Sequence, residues 1–446
     1  MTTYARRLGL FSGTMAVVGG IIGSGIFRNP SEVVSRVRSP TLTLTAWSLG
    51  ALIALAGAFC FAELGARKPK AGGGYVYLRD AFGPLPAFLY AWALLLIIST
   101  GAIAGVATTF ADYATALLGL PERAIVPLAI GAVALLSAIN YVGVKPGAIT
   151  QNVLTVLKLA GLALLIGAGV FVTVPSAATG AAAHAAPAVA LVAPTGFSAF
   201  VAVGSALVPV LFSYGGWQQT NYIAEEMIDA ERNLPRALTL GVLAVVVVYL
   251  AANVVYLHAL GPAELAVSKA PAAEVVTRLV GPVGGKLIGA AIACSTFGFL
   301  GLVILVTPRV YQAMAADGLF LPSLARLHPT YRTPSRAITL QAVWAIVLAL
   351  SGNYGRLVDY VVFGDWIFFG LTVATLFVYR ARQASSDARP AFLTPGYPFV
   401  PALFVAAAAY VVISSIAANP GNALIGGLIL AAGIPVFYFS RRVAKP

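Results

Sequence analysis

Long apolar stretches recur along the chain, and short segments rich in charged residues, glycine and proline separate them. A helix needs roughly 20 mostly apolar residues to cross about 30 Å of hydrocarbon. Twelve stretches meet this requirement, so the pattern predicts an all-α protein with about twelve transmembrane helices. They lie near residues 8–35, 41–66, 84–118, 122–142, 149–174, 197–223, 237–260, 284–308, 336–352, 357–379, 398–417 and 421–439.

The composition excludes a water-soluble fold. Of the 446 residues, 59% are hydrophobic and 10% charged, whereas soluble domains have about 45–50% and about 25%. The predicted loops are short, and the longest, 174–196, is rich in alanine and proline and contains no lysine or arginine. We therefore expect one membrane domain over 1–446.

The chain has a net charge of +13, and the distribution of its lysine and arginine residues predicts its orientation in the membrane. These residues concentrate on the cytoplasmic side of membrane proteins. With the N-terminus inside, the inner segments contain more than twice as many of these residues as the outer ones. We expect both termini to be cytoplasmic in a multi-pass protein of the cell's cytoplasmic membrane. The first span has no obvious A-x-A cleavage site and is expected to be retained.

Two glycine-rich stretches interrupt predicted spans at matching positions. The first span contains GGIIGSGIF at 19–27, and the sixth contains FSYGGW at 212–217. If spans one to five (1–174) repeat as spans six to ten (197–379), followed by two more spans (398–439), each break lies in the first helix of a half. Five is odd, so the halves are inverted in the membrane. Helices broken at corresponding positions indicate a transporter's binding site.

A break at mid-membrane leaves backbone donors and acceptors without partners. The N–H groups of Gly23, Ser24 and Gly25 begin a half-helix, whose positive end suits a carboxylate. Backbone carbonyls beside the breaks suit an ammonium. The candidate carbonyls are those of Ile21, Phe212 and Ser213. An α-amino acid offers both charges on neighbouring atoms.

Several motifs resemble those of the amino acid–polyamine–organocation superfamily, and most closely its L-type amino acid transporter branch. The similar segments are IIGSGIF at 21–27, AELG at 62–65, FSYGGW at 212–217, NLPR at 233–236 and PGYP at 395–398. The resemblance covers nearly the whole chain. It implies a LeuT-type fold with a 5+5 inverted repeat, an alternating-access cycle and, often, obligatory exchange of one amino acid for another.

The resemblance also implies substrate-binding residues on both broken helices. They are Ile21, Ser24, Gly25, Phe212, Ser213 and Gly215, and the unpaired N–H group described above adds Gly23 to the expected substrate site. Phe212 would be an aromatic gate over the substrate, although a phenylalanine can also simply fill the core. Spans three and ten would line the side-chain pocket with Ile97, Ile98, Ala102, Asp365 and Trp366.

Lys158 lies near the middle of the fifth span, where a charge costs at least about 2.5–3.5 kcal/mol. It could snorkel to an interface, but apolar residues flank it on both sides. The resemblance implies that its ammonium replaces the cation of sodium-coupled relatives, coordinated by the carbonyls of Gly19 and Ile22 and the hydroxyl of Ser295. It could then be a fixed structural cation or a proton carrier.

Asp365 departs from the L-type pattern, which has an uncharged amide at this position. A carboxylate inside a membrane must be paired, protonated or hydrated. It could pair with a cationic or hydroxylated substrate side chain, or bond to the backbone and the Trp366 indole. The charged residues between 225 and 236, by contrast, are expected to form a solvated inner loop with ion pairs to neighbouring inner loops.

These observations favour a sodium-independent amino acid exchanger. A proton-coupled symporter is the main alternative, and a polyamine or organic-cation antiporter comes third because a polyamine has no carboxylate. Scattered histidines and the absence of a phosphate-binding P-loop argue against an enzyme, a metal site or ATP hydrolysis; no cofactor or nucleic acid partner is expected. Residues 110–127 contain no cysteine, so we expect no disulfide-linked heavy chain.

Overall fold

A computed structural model describes residues 4–171, 192–351, 354–383, 390–418 and 420–443. Most of the predicted loop 174–196, together with the predicted end of the fifth span, lies outside these ranges. The described residues are mainly helical. In chain order the α-helices are α1 (Leu10–Ile21), α2 (Gly25–Val37), α3 (Pro40–Arg67), α4 (Gly74–Phe82), α5 (Pro84–Ala93), α6 (Ser99–Leu118), α7 (Ile125–Tyr141), α8 (Val144–Phe171), α9 (Gly196–Tyr214), α10 (Ala230–Val267), α11 (Pro271–Val280), α12 (Pro282–Val306), α13 (Pro308–Ala316), α14 (Ser335–Leu350), α15 (Tyr354–Gln383), α16 (Phe399–Ala418) and α17 (Pro420–Val443).

Within the described ranges, nine helical segments are long and apolar enough to cross a membrane, and the bent pair α1 and α2 makes ten. The prediction of an all-α membrane protein is confirmed at this level. The shorter apolar helix α14 and the helix α15 lie at the ninth and tenth predicted spans. The number twelve and the inverted repeat stay predictions.

The first predicted span is two helices that meet at an angle of 42°. α1 ends at Ile21, and Ile22 has an extended backbone with ψ 95° before α2 begins at Gly25. The glycines of this stretch favour the break, because each weakens a helix by about 1 kcal/mol relative to alanine. Residues 22–24 therefore have backbone groups outside any regular helix.

The sixth predicted span is broken in the same way. α9 ends at Tyr214, Gly215 is extended, and a 3₁₀-helix then runs over Trp217–Glu226. Gly216, between them, has φ 108°, a conformation that glycine adopts without the steric cost that a Cβ would impose. The glycine pair therefore permits the change of direction.

The two breaks touch each other through their backbones. A Cβ on Gly216 would lie 2.0 Å from the Gly20 carbonyl oxygen, and a Cβ on Gly20 would lie 2.8 Å from the Gly216 oxygen. Both distances are shorter than real Cβ contacts. Only glycine at both positions lets the broken helices approach so closely, at the centre of the bundle where α1 also packs against α8, α10 and α12.

Hydrogen bonds around a proline in α9 connect the two broken helices. Pro209 has no N–H, so the carbonyl of Ser205 lacks its helical donor; Arg36 of α2 donates to it over 2.6 Å. The Nδ2 atom of Asn29, also in α2, donates to the Pro209 oxygen (3.0 Å) and to Ser213 Oγ (2.8 Å). These contacts fix α2 against the end of α9 beside the breaks.

Candidate functional site

A cavity of about 120 Å³ lies where the broken helices meet. A water needs about 10–15 Å³ measured in this way, so the cavity has room for several waters or a small metabolite. Its walls come from the α1–α2 break, the π-helical turn Leu94–Ile98 with the start of α6, the α9 break, α12 and α15.

Most of the substrate-site residues predicted from the sequence line this cavity. They are Ile21, Gly23, Ser24, Gly25, Ile98, Ala102, Phe212, Ser213, Gly215, Asp365 and Trp366. Ile97 is not among the lining residues, although it was assigned to the side-chain pocket. It lies in the π-helical turn, whose wider winding changes which side chains face the cavity, and its neighbour Ile98 lines the wall instead.

Backbone N–H groups at the start of α2 form one part of the cavity wall. Gly23, Ser24 and Gly25 line the wall, and no described residue accepts a hydrogen bond from their N–H groups. The N-terminus of a helix carries a partial positive charge on such unpaired N–H groups. This backbone can therefore bind a carboxylate.

The carbonyls next to the breaks already have one donor each. Ile21 O accepts from the Tyr249 hydroxyl at 3.1 Å, and Phe212 O accepts from Gly215 N at 3.3 Å. A carbonyl oxygen has two lone pairs, so each can accept a further bond from an ammonium. The Ser213 hydroxyl is less free, because it donates to Pro209 O at 2.8 Å.

Lys158 of α8 is fully buried against the first break. Its Nζ donates to Gly19 O at 3.0 Å and to Ile22 O at 2.7 Å. Ser295 of α12 does not form the expected bond to the ammonium. Its hydroxyl lies 3.3 Å from both Ile22 O and Gly23 O and can donate to either, so Ile22 O is an acceptor for the ammonium and for the hydroxyl. The first break is thus held from two helices.

α15 approaches the π-helical turn closely beside the cavity. A Cβ on Gly364 would lie 2.9 Å from Ile98 Cδ1, so glycine at this position allows the next residue, Asp365, to line the cavity. The Trp366 ring packs against Phe369 and Phe404, with centroid distances of 5.6 and 6.0 Å. Among the described residues, none forms an ion pair or hydrogen bond with Asp365.

Two ion pairs with buried carboxylates join distant segments of the chain. The expected solvation of the charged residues between 225 and 236 is wrong for Glu226, which is 1% exposed. Glu226 does form an ion pair, in which Arg309 Nε donates to its Oε1 at 2.7 Å. Glu63 likewise binds Arg380 at 2.7 Å.

Sequence reasoning missed several lining residues. They are Gly20, Leu94, Ser99, Gly101, Gly105, Val106, Leu211, Gly216, Gln218, Gln219, Tyr222, Phe299, Val303 and Phe369. Gly101 and Gly105 are four apart and therefore on one helix face, a signal that could have identified this wall. Tyr222 could not be found in this way, because its hydroxyl is placed by a hydrogen bond to Tyr90, far away in sequence.

A family model described as amino acid permease matches residues 8–439 of the chain. The chain belongs to the amino acid permease family. The permease is therefore a membrane transporter and not an enzyme.

Individual relatives match over nearly the whole permease. The serine/threonine exchanger SteT of Bacillus subtilis is 32% identical over 97% of this chain and 96% of its own length. The b(0,+)-type amino acid transporter 1 of Mus musculus is 30% identical over 100% of this chain and 91% of its own. The human large neutral amino acids transporter small subunit 2 is 32% identical over 97% of this chain and 80% of its own length.

Proposed function

We propose that the permease is a sodium-independent exchanger of α-amino acids that works by alternating access. The observation that carries this proposal is the cavity between two broken helices. One wall offers the unpaired N–H groups of residues 23–25, and the carbonyls of Ile21 and Phe212 lie beside the breaks. A zwitterion satisfies both kinds of group. The similarity to an exchanger over nearly the full length of both chains supports the same function.

For the fold, we propose a LeuT-type 5+5 inverted repeat with twelve spans. Helices one to five would occupy 1–174, helices six to ten 197–379, and helices eleven and twelve 398–439. The support is the position of the breaks, each in the first helix of a proposed half, and their direct contact between Gly20 and Gly216.

We also propose that the structure represents a state of the transport cycle that is closed on the cytoplasmic side. Glu226–Arg309 and Glu63–Arg380 lie in segments that we assign to the cytoplasmic side, and these ion pairs support the proposal by joining those segments. Phe212 lines the cavity and is 38% exposed. We propose that its ring closes over bound substrate and becomes buried as the permease occludes.

We further propose that Lys158 takes the place of a coupling cation. Its ammonium joins α8 to the first break through two carbonyls, so motion of α1 changes its contacts. A buried, titratable group next to the substrate cavity also favours proton-coupled symport as the second candidate function.

The proposed setting is the cytoplasmic membrane, with both termini inside and no disulfide-linked heavy chain. The lysine and arginine distribution supports the orientation. The sequence contains two cysteines, and both lie in the transmembrane helices α3 and α12. A bond to an external partner is therefore disfavoured.

Counterflow in proteoliposomes tests the proposal. Vesicles loaded with one unlabelled amino acid at a time take up a labelled one, with sodium or choline on both sides and with or without a pH gradient. We expect uptake that needs an internal amino acid and is equal in sodium and choline. Uptake into empty vesicles driven by a pH gradient would support symport instead, and a sodium requirement would contradict the assigned role of Lys158.

A further inference from the structure

Asp365 is a carboxylate without a compensating charge in the wall of the cavity. It is the one Asp, Glu, Lys, Arg or His among the described lining residues. Tyr222 also lines the cavity, and its hydroxyl forms a hydrogen bond with that of Tyr90. These hydroxyls are neutral, so they do not cancel the charge.

The α-groups of an amino acid do not supply the missing cation. Its carboxylate is assigned to the N–H groups of residues 23–25 and its ammonium to the carbonyls at the breaks, so the zwitterion adds no net charge. Lys158 is engaged by Gly19 and Ile22 and does not line the cavity. A charge enclosed with substrate and left unpaired is costly, and closing the cavity would increase that cost.

We propose that Asp365 binds the cationic side chain of a substrate, an ammonium or guanidinium group, so that the permease carries dibasic amino acids and exchanges them for neutral ones. The inference rests on the proposed exchange function and names a substrate class for it. A cationic side chain brings one positive charge to the wall that holds the negative one. The close approach of Gly364 to Ile98 places Asp365 in this wall.

The exchange of a cationic for a neutral amino acid moves one positive charge per cycle. Proteoliposomes that contain the wild-type permease are loaded with serine, and labelled arginine is added outside. A potassium gradient and valinomycin set the membrane potential. An inside-negative potential of 100 mV should raise the accumulated arginine by roughly 50-fold over zero potential, since it adds about 2.3 kcal/mol per charge. Serine–serine exchange should not respond to the potential.

A matched pair of variants locates the effect. Asp365→Asn keeps the shape and removes the charge, and we expect it to lower the ratio of arginine to serine uptake by on the order of 10–100-fold, the value of one charge-assisted hydrogen bond. Asp112→Asn makes the same change on α6 at an exposed position outside the cavity, and its ratio should match the wild type.

Two results would overturn the inference while the proposed function stands. One is exchange restricted to neutral amino acids in the wild type. The other is an unchanged selectivity ratio in Asp365→Asn. If Asp365→Asn instead abolished uptake driven by a pH gradient, the carboxylate would be a proton carrier and the inference would be wrong. Exchange of no amino acid at all would overturn the inference and the proposed function together.

Discussion

Replacing Lys158 with methionine would separate a role in the transport cycle from a role in folding. Methionine keeps an unbranched apolar stem, which in the lysine packs so closely on Gly298 that a Cβ there would lie 3.1 Å from Lys158 Cε. The change removes the ammonium and its bonds to Gly19 O and Ile22 O. It leaves Ile22 O with the Ser295 hydroxyl.

Two opposing terms set the size of the effect. Hydrogen bonds to a charged group contribute about 1.5–3 kcal/mol each, so the two bonds stabilise this conformation by about 3–6 kcal/mol. Burying the ammonium costs several kcal/mol, and methionine avoids that cost. We expect the stability of Lys158→Met to stay within about 2 kcal/mol of wild type, while the balance between conformations changes and exchange falls at least about 10-fold.

The assay compares counterflow rates in proteoliposomes with the thermal stability of the purified protein in detergent. Lys286→Met, at an exposed position on α12, is the matched control and should leave both unchanged. Sodium should not rescue Lys158→Met, because the carbonyls that remain form only part of a sodium site. Wild-type exchange in Lys158→Met would refute the coupling role, and a collapse of stability equal to the loss of exchange would show that the lysine acts in folding alone.

Further substitutions test the site and the buried Glu226–Arg309 pair. Gly25→Val would place a Cβ 2.8 Å from Ser213 Oγ and should abolish substrate binding. Gly23→Ala, whose Cβ would have Phe299 as its nearest neighbour at 3.7 Å, should fold normally yet weaken binding about 10-fold or more. Unchanged affinity in a scintillation proximity assay would argue against the carboxylate assignment. Phe212→Ala should lower exchange several-fold with stability retained, because a partly exposed ring contributes little to packing; wild-type rates would assign it to packing only. Glu226→Gln should lower the free energy of unfolding by about 3–5 kcal/mol, because it leaves the Arg309 charge unpaired. Glu264→Gln, in a partly exposed pair with Arg278, should lower it by at most about 1 kcal/mol. Equal melting temperatures for the two variants would contradict the reasoning about the buried pair.

The parts of the site that could be predicted are those with a local signal. Hydropathy identifies the helices, glycine clusters identify the breaks, and a lysine in an apolar stretch identifies Lys158. Each signal lies within a few residues of the structure that it predicts. The kink at Gly261 within α10, with φ 70°, is of the same local kind but falls beyond the predicted seventh span.

The remaining features depend on contacts between distant segments. Glu226 is buried because Arg309, 83 positions along the chain, pairs with it, and a solvated loop was the natural expectation from its charged neighbours. The π-helical turn at Leu94–Ile98 has no signal in its run of apolar residues. That turn places Ile98 rather than Ile97 in the cavity wall. Such features follow from packing, which a single sequence does not display.

The central claim is that the two broken helices recognise both α-groups of an amino acid. Competition by blocked analogues of a transported amino acid tests it most directly. In exchange-active proteoliposomes, the methyl ester lacks the carboxylate and the N-acetyl derivative lacks the ammonium, while each keeps the side chain. We predict that the parent competes for uptake and that both analogues lose at least about 100-fold in apparent affinity. Competition by either analogue at the parent's concentration would contradict the claim.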